Sequence, residues 1–199
     1  NGLISDVSSV WPIEGMSDAF KKSATAPDGK QYFVPISYYP WAVFYRKSVF
    51  EKNGWAVPTT MDEMTALMKD MQGKKLTPIA FAAKDAWAPM GTFDILNMRL
   101  NGYDFHMELC QGKQKWDSAE VKNVFSTWAT LLPYHQENSL GRTWQEAATS
   151  MANGECGMYL LGTFVTSNFD PATDPDAQAI IDDIDFFAFP EIDPAHGQD

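Results

Sequence analysis

The chain has 199 residues, 45% of them hydrophobic and 21% charged, with a formal net charge of −11. That is enough apolar material for one large domain and too little charge for a disordered chain. All 15 Lys and Arg lie at or before Arg142, matched there by 15 acids, while residues 143–199 carry the other 11 acids and no base. A nucleic-acid partner needs a basic stripe to displace counterions, so that class is disfavoured. No apolar run approaches the ~20 residues that span a bilayer. Asn1-Gly2-Leu3 offers neither an initiator Met nor a signal-like stretch, so residue 1 is not expected to be a native start.

Residues 1–27 read as loop-rich, with Trp11 and Phe20 as packing anchors. The turn signal Asp28-Gly29-Lys30 leads into a short strand over residues 31–35, and the aromatic, β-branched run 38–45 reads as a second strand. Lys47 to Asn53 suits a helix closed by Gly54 in the left-handed position. Thr60 and Glu63 have capping-box spacing, followed by Met61, Met64, Leu67, Met68 and Met71 at helical period up to Gly73. Residues 78–81 read as a buried strand and 93–100 as a helix ending at Asn101-Gly102. The periodicity predicts a helix over 118–132, capped by Asp117 or Ser118, with Val121, Val124, Phe125, Trp128, Leu131 and Leu132 on one face. A second capping box, Thr143 with Glu146, opens a helix carrying Ala147, Ala148 and Met151 and ending near Asn153-Gly154. Strands are expected over 156–161 and 184–189. This alternation predicts an α/β domain with helices against a mostly parallel sheet.

The sequence lacks the dinucleotide-binding glycine fingerprint, the Walker A loop and the nucleophile elbow. His106, His135 and His196 stand in no recognised catalytic spacing. The acidic run from Asp170 to Asp185 lacks the Gly and terminal Glu of an EF-hand loop and reads as a solvated surface. No Cys/His cluster suggests zinc. Cys110 and Cys156 fit either a disulfide of an oxidising compartment or two buried thiols. No cofactor is expected. What is abundant is aromatic, with seven Trp, seven Tyr and thirteen Phe. Tyr38, Tyr39, Trp41, Trp87, Trp144 and Phe164 sit at the ends of predicted elements rather than on helical stripes. Rings in such places can stack on the apolar faces of a sugar while polar side chains take its hydroxyls; ordinary core packing is the alternative for each. Trp128, on a helical stripe, reads as core.

Several segments, in order, resemble the family 1 extracellular solute-binding proteins of ABC importers, the group that includes maltose-binding protein. Asp28-Gly29-Lys30-Gln31-Tyr32-Phe33-Val34-Pro35 is similar to the family's DGK-x-Y-x-x-P. Val43 to Gly54 is similar to x-x-Y-x-K-x-x-F-E-K-x-G. Pro58 to Glu63 resembles P-x-T-W-D-E, with Met61 in place of Trp. Thr143 to Ala147 and Met151 to Met158 resemble W-x-E-A and F-x-x-G-x-A-A-M, and Gly162-Thr163-Phe164 resembles G-x-W.

The resemblance implies a periplasmic-binding-protein-like type II fold, of which this chain holds mainly the second lobe. Residues 1–36 would end the first lobe, 37–45 would be a hinge crossing, 46–190 the second lobe, and 191–199 the start of a return segment. It implies no catalysis. A mono- or oligosaccharide would bind between two lobes, touching Tyr38, Tyr39, Trp41, Trp87, Trp144 and Phe164, and would be delivered to the membrane permease subunits. Tyr39 falls where maltose-binding members place a sugar-contacting Glu, which implies a ligand other than maltose. Asn97 and Arg99 are further candidates for sugar hydroxyls, though a structural role is preferred for both. A monomer outside the cytoplasmic membrane, periplasmic or extracellular and anchored as a lipoprotein, is expected. The same fold could instead bind a polyamine or peptide, and a carbohydrate-active enzyme is the more distant alternative.

Overall fold

The structure, a computed structural model, describes residues 3–197; Asn1-Gly2 and Gln198-Asp199, including the end of the expected return segment, lie outside the described residues. The chain divides into two compact units between Tyr39 and Pro40. The first unit's described residues include a 3-10 turn over Ser8–Val10 and one short α-helix, α1 (Asp18–Ala24). The expected strand over 31–35 does not form. Among the described residues it pairs through an isolated bridge between Gln31 and Thr25. Gln31 is buried and ties the loop together, its Nε2 donating to Thr25 Oγ1 at 3.0 Å and its backbone O accepting from Val7 N at 2.8 Å. Beyond it, Phe33, Val34 and Ile36 are exposed, so the β-branched run meets no partner strand to complete a ladder. Trp11 and Phe20, the expected anchors, are half-buried.

The second unit is built on a four-stranded sheet. In chain order its elements are β1 (Trp41–Arg46), α2 (Lys47–Asn53), α3 (Met61–Gly73), β2 (Thr77–Ile79), α4 (Ala88–Cys110), α5 (Ala119–Leu131), α6 (Trp144–Ala152), β3 (Cys156–Gly162), α7 (Ala177–Asp183) and β4 (Ile184–Phe187). The strands lie in the order β2-β3-β1-β4. Only β2 and β3 run parallel; β1 is antiparallel to both β3 and β4. The expected mostly parallel sheet is therefore corrected to a mixed one. Single-strand patterns carry the pleat but not the direction of the neighbour.

Side chains alternate across the pleat, and each face is covered. Val43, Tyr45 and Met158 point to the side where α2, α3, α4 and α5 pack, into a core with Phe50, Met64, Met68, Met71, Leu96, Val121 and Val124. Ala42, Phe44, Tyr159 and Leu161 point to the other side, against Ala147, Ala148 and Met151 of α6, with Val165 and Ala177. Burial on both faces explains why β1 reads as an almost continuous apolar run.

The helix signals were the most faithful. Thr60 and Glu63 form a reciprocal capping box at the start of α3, as do Thr143 and Glu146 for α6. Ser118 caps α5, its Oγ accepting from Val121 N. Gly54 closes α2 at φ 70°. Phe125 and Leu132, expected on the buried face of the fifth helix, are instead more than half exposed. The helix expected over 93–100 starts earlier, with Pro89 in its first turn, and does not end at Gly102. There the chain turns at φ 81°, ψ 165° and re-enters helix through Cys110. Only glycine tolerates that conformation readily, so the stop signal was real and marks a kink.

Cys110 and Cys156 are both free, so the disulfide alternative is corrected. Cys110 is exposed at the end of α4. Cys156 is buried at the start of β3, where burial pushes its thiol up to about 12.

Candidate functional site

Four of the six aromatic residues singled out in the sequence meet at one end of the sheet. The pairing explains why. Trp41, the first residue of the antiparallel β1, lies opposite Gly162, the last of β3. Phe164 follows two residues later, in the 3-10 turns over Thr163–Asn168. Because β2 is parallel to β3, the loop leaving β2 emerges at that same end and delivers Trp87 to the start of α4. Trp144 is the first residue of α6, fixed by a cap in which Glu146 Oε2 accepts from Thr143 N at 2.7 Å.

The rings touch in series. Trp41 and Trp87 are 6.3 Å apart at 86°, Trp87 and Phe164 5.8 Å apart at 55°, and Phe164 and Trp144 5.3 Å apart at 88°. The first and last are edge-to-face contacts, which set the negative face of one ring against the positive edge of the next; the middle one is tilted. Each of the four rings is half-buried. Just before Trp87, Ala86 holds a left-handed backbone at φ 63°, a conformation unfavourable for a residue with a Cβ.

Trp41 and Trp87 border a cleft of about 350 Å³, which lies within the range of small-molecule sites, roughly 300–1,000 Å³. Its other walls are Met90, Gly91, Asp94, Ile95, Met98 and His106. Five of these recur at helical spacing and form one face of α4. His106 comes from beyond the Gly102 kink. Its Nδ1 lies 3.1 Å from Asn97 Nδ2, and Asn101 Nδ2 donates to Asn97 Oδ1 at 2.8 Å, so amides before the kink hold the ring after it. Cys110 Sγ lies 3.8 Å from His106 Nε2 on its other side. Asp94 is half-buried; burial raises its carboxyl above the ordinary aspartate range, and the His106 charge acts the other way. The cleft therefore offers two flat rings, an apolar floor, one carboxyl and one imidazole. That combination suits a small ligand with an apolar face and a hydroxylated edge.

Tyr38 and Tyr39 belong to the first unit, where Tyr38 meets Phe20 at 5.7 Å. Asn97 is fully buried in the relay to His106. Arg99 is buried too, its Nε donating to Phe189 O at 3.0 Å, so it anchors the chain leaving β4. His135 is stacked on Phe81 at 4.1 Å, and burial lowers its pKa to about 4. His196 packs near Gly102. Among the described residues no group of His, Cys, Asp or Glu is arranged to hold a metal. Gly91, Asp94 and His106 were not singled out in the sequence. The stripe 90, 91, 94, 95, 98 would have marked the first two, while His106 is brought in by a kink that reads in sequence as a stop.

Residues 1–195 match the family profile described as bacterial extracellular solute-binding protein. A solved structure of the bacterial solute receptor AcbH, described as having an exclusive preference for β-D-galactopyranose, is 41% identical with a TM-score of 0.81. It is matched over 100% of this chain and 49% of its own. A chitin oligosaccharide binding protein is 26% identical with a TM-score of 0.82, over 98% of this chain and 48% of its own. A probable sugar-binding periplasmic protein of Brucella suis is 25% identical over 71% of this chain and 34% of that protein. An uncharacterized ABC transporter extracellular-binding protein of Pyrococcus horikoshii is 28% identical over 74% of this chain and 36% of that protein. The chain thus spans about a third of the curated relatives it matches and about half of the solved ones.

Proposed function

Because the chain belongs to the bacterial extracellular solute-binding proteins, we propose that it supplies the sugar-holding wall of the substrate-binding component of an ABC importer. The carrying observation is the cleft where Trp41 and Trp87 face Asp94 and His106. An indole stacks on the C–H face of a pyranose, and the carboxyl and imidazole take hydroxyls along its edge. The likeness to AcbH favours a single pyranose, β-D-galactopyranose first, over a long oligosaccharide.

Residues 1–36 are then the end of the first lobe, 37–45 a hinge crossing, 46–190 the second lobe and 191–199 the start of the return segment. The rest of the whole protein completes the opposing wall. The ligand binds the closed arrangement better than the open one and so shifts the population that the permease recognises. No chemical step is involved. The protein acts as a monomer outside the cytoplasmic membrane, tethered as a lipoprotein.

A ligand stabilises the folded protein as its concentration rises over Kd, so melting of the whole protein against a solute panel reads the assignment. Galactose, glucose, short oligosaccharides, amino acids and polyamines form the panel. The expected result is a concentration-dependent rise with a sugar. A rise with a polyamine or amino acid and none with any sugar contradicts the reading.

A further inference from the structure

Gly91 has no backbone reason to be a glycine. It is buried in the first half of α4, and its φ lies outside the left-handed region. Alanine is the better helix former there. What the position requires is room. A Cβ built on Gly91 would lie 2.2, 2.3 and 2.6 Å from Cζ3, Cη2 and Cε3 of Trp41, far inside contact distance for three atoms of one ring. The six-membered ring of the indole therefore rests directly on the helix backbone, a close approach that only glycine permits. Gly157 is similarly crowded, but against Sδ and Cε of Met71, the far end of a flexible side chain in the core. A rigid indole cannot yield in that way.

Nor can Trp41 withdraw by other means. Its backbone is fixed in β1 opposite Gly162, and its ring meets the Trp87 edge at 6.3 Å. The ring borders the cleft that both indoles share with Asp94 and His106, so a displaced indole has that cleft to move into. We propose that Gly91 is the positioning residue of the aromatic platform: its missing side chain sets how deep the Trp41 indole sits, and so how wide the cleft is for the ligand. The proposal rests on the sugar reading above for its consequence, though not for its geometry. Gly91 itself need touch no ligand. It acts through Trp41, so any side chain at 91 moves the stacking surface into the volume the ligand occupies.

The test uses the whole protein and three variants: Gly91→Ala, Trp41→Phe and the double variant. D-galactose, or whichever panel sugar binds the wild type most tightly, is titrated by calorimetry. Gly91→Ala is expected to weaken binding by about tenfold or more, because a binding group misplaced by ~1 Å no longer matches its ligand. In the Trp41→Phe background, which lacks the indole's Cζ3 and Cη2, the two atoms nearest the added Cβ, the same substitution is expected to change Kd less than about twofold. Equal losses in both backgrounds, or a Gly91→Ala protein that binds like wild type, overturn the proposal. A ligand-free reading separates it from the sugar assignment. Gly91→Ala shifts the tryptophan emission of the unliganded protein only when Trp41 is present; no shift overturns the positioning role whatever the ligand proves to be. Should Gly91→Ala alone unfold, recovery of the fold in the double variant is the expected result, and failure to recover it contradicts the account.

Discussion

Two of the molecule's chains of aromatic rings differ in what surrounds them, and that difference bears on which rings are free to meet a ligand. One runs Trp41, Trp87, Phe164, Trp144 at the end of the sheet. The other runs Trp116, Phe93, Phe125, Trp128, Phe81, His135 along α4 and α5, with neighbouring centroids 4.1 to 6.3 Å apart. Centroid spacings in the two are similar, but the first chain meets edge-on or tilted (55° to 88°), whereas three of the five contacts of the second are stacked. Their surroundings differ as well. In the second, Phe93 is a core residue of the helical layer, and Trp128 and Phe81 are half-buried beside it. In the first, each ring sits where a strand or helix begins or ends, and two of them border a cleft that also holds a carboxyl and an imidazole. Under the proposed function the first chain serves the ligand and the second packs helices together.

The sharpest way to break that comparison is to remove one ring from each chain. Phe93→Ala empties a core position, and should cost about 3–5 kcal/mol of stability in chemical denaturation. It should leave the ligand Kd of the surviving folded fraction unchanged. Trp41→Ala should do the opposite in kind. Calorimetry is expected to show binding weakened by about 2–3 kcal/mol, or roughly 30- to 150-fold, as for an aromatic anchor of a binding site. If Phe93→Ala weakens binding as much as Trp41→Ala does, the division between the two chains is false.

A third test sharpens the structural character of the second chain. His135 ends that chain, half-buried and stacked on Phe81, where desolvation lowers its pKa from 6.5 to about 4. The unfolded chain binds the extra proton first, so stability is full above pH ~6.5 and falls as the pH drops toward ~4. Urea titrations at pH 7 and pH 5 should differ by about 2 kcal/mol from this group, and His135→Phe should remove that part of the difference. An unchanged pH slope in the variant would show that His135 is not buried as a neutral ring. The smallest effect concerns the far end of the first chain. Thr143→Ala removes the cap that seats Trp144, at a cost of about 1 kcal/mol, read as a lowered melting temperature with little change in Kd.

The same contrast explains what was legible in the sequence. Helix starts rest on short-range chemistry, so Thr60 with Glu63 and Thr143 with Glu146 announced α3 and α6. Ring residues at element ends could be named one by one, and Trp41, Trp87, Trp144 and Phe164 do converge. What brings them together was not legible, because it depends on which strands pair and in which direction. Trp41 reaches Phe164 only because β1 runs antiparallel to β3, and the pattern suggested a mostly parallel sheet. The polar half of the cleft was hidden for a similar reason. Asp94 looked like one more helix residue, and His106 lay beyond a glycine that signals an end. The run 31–35 shows the reverse error, since strand composition without a neighbour to pair with gives a loop.

A crystal structure of the whole protein with D-galactose bound tests the central claim most directly. The account predicts the pyranose within about 4 Å of the Trp41 or Trp87 ring, its hydroxyls directed at Asp94 and His106. A sugar seated on Trp116 and Phe125, or anywhere that leaves Trp41 and Trp87 untouched, would contradict it.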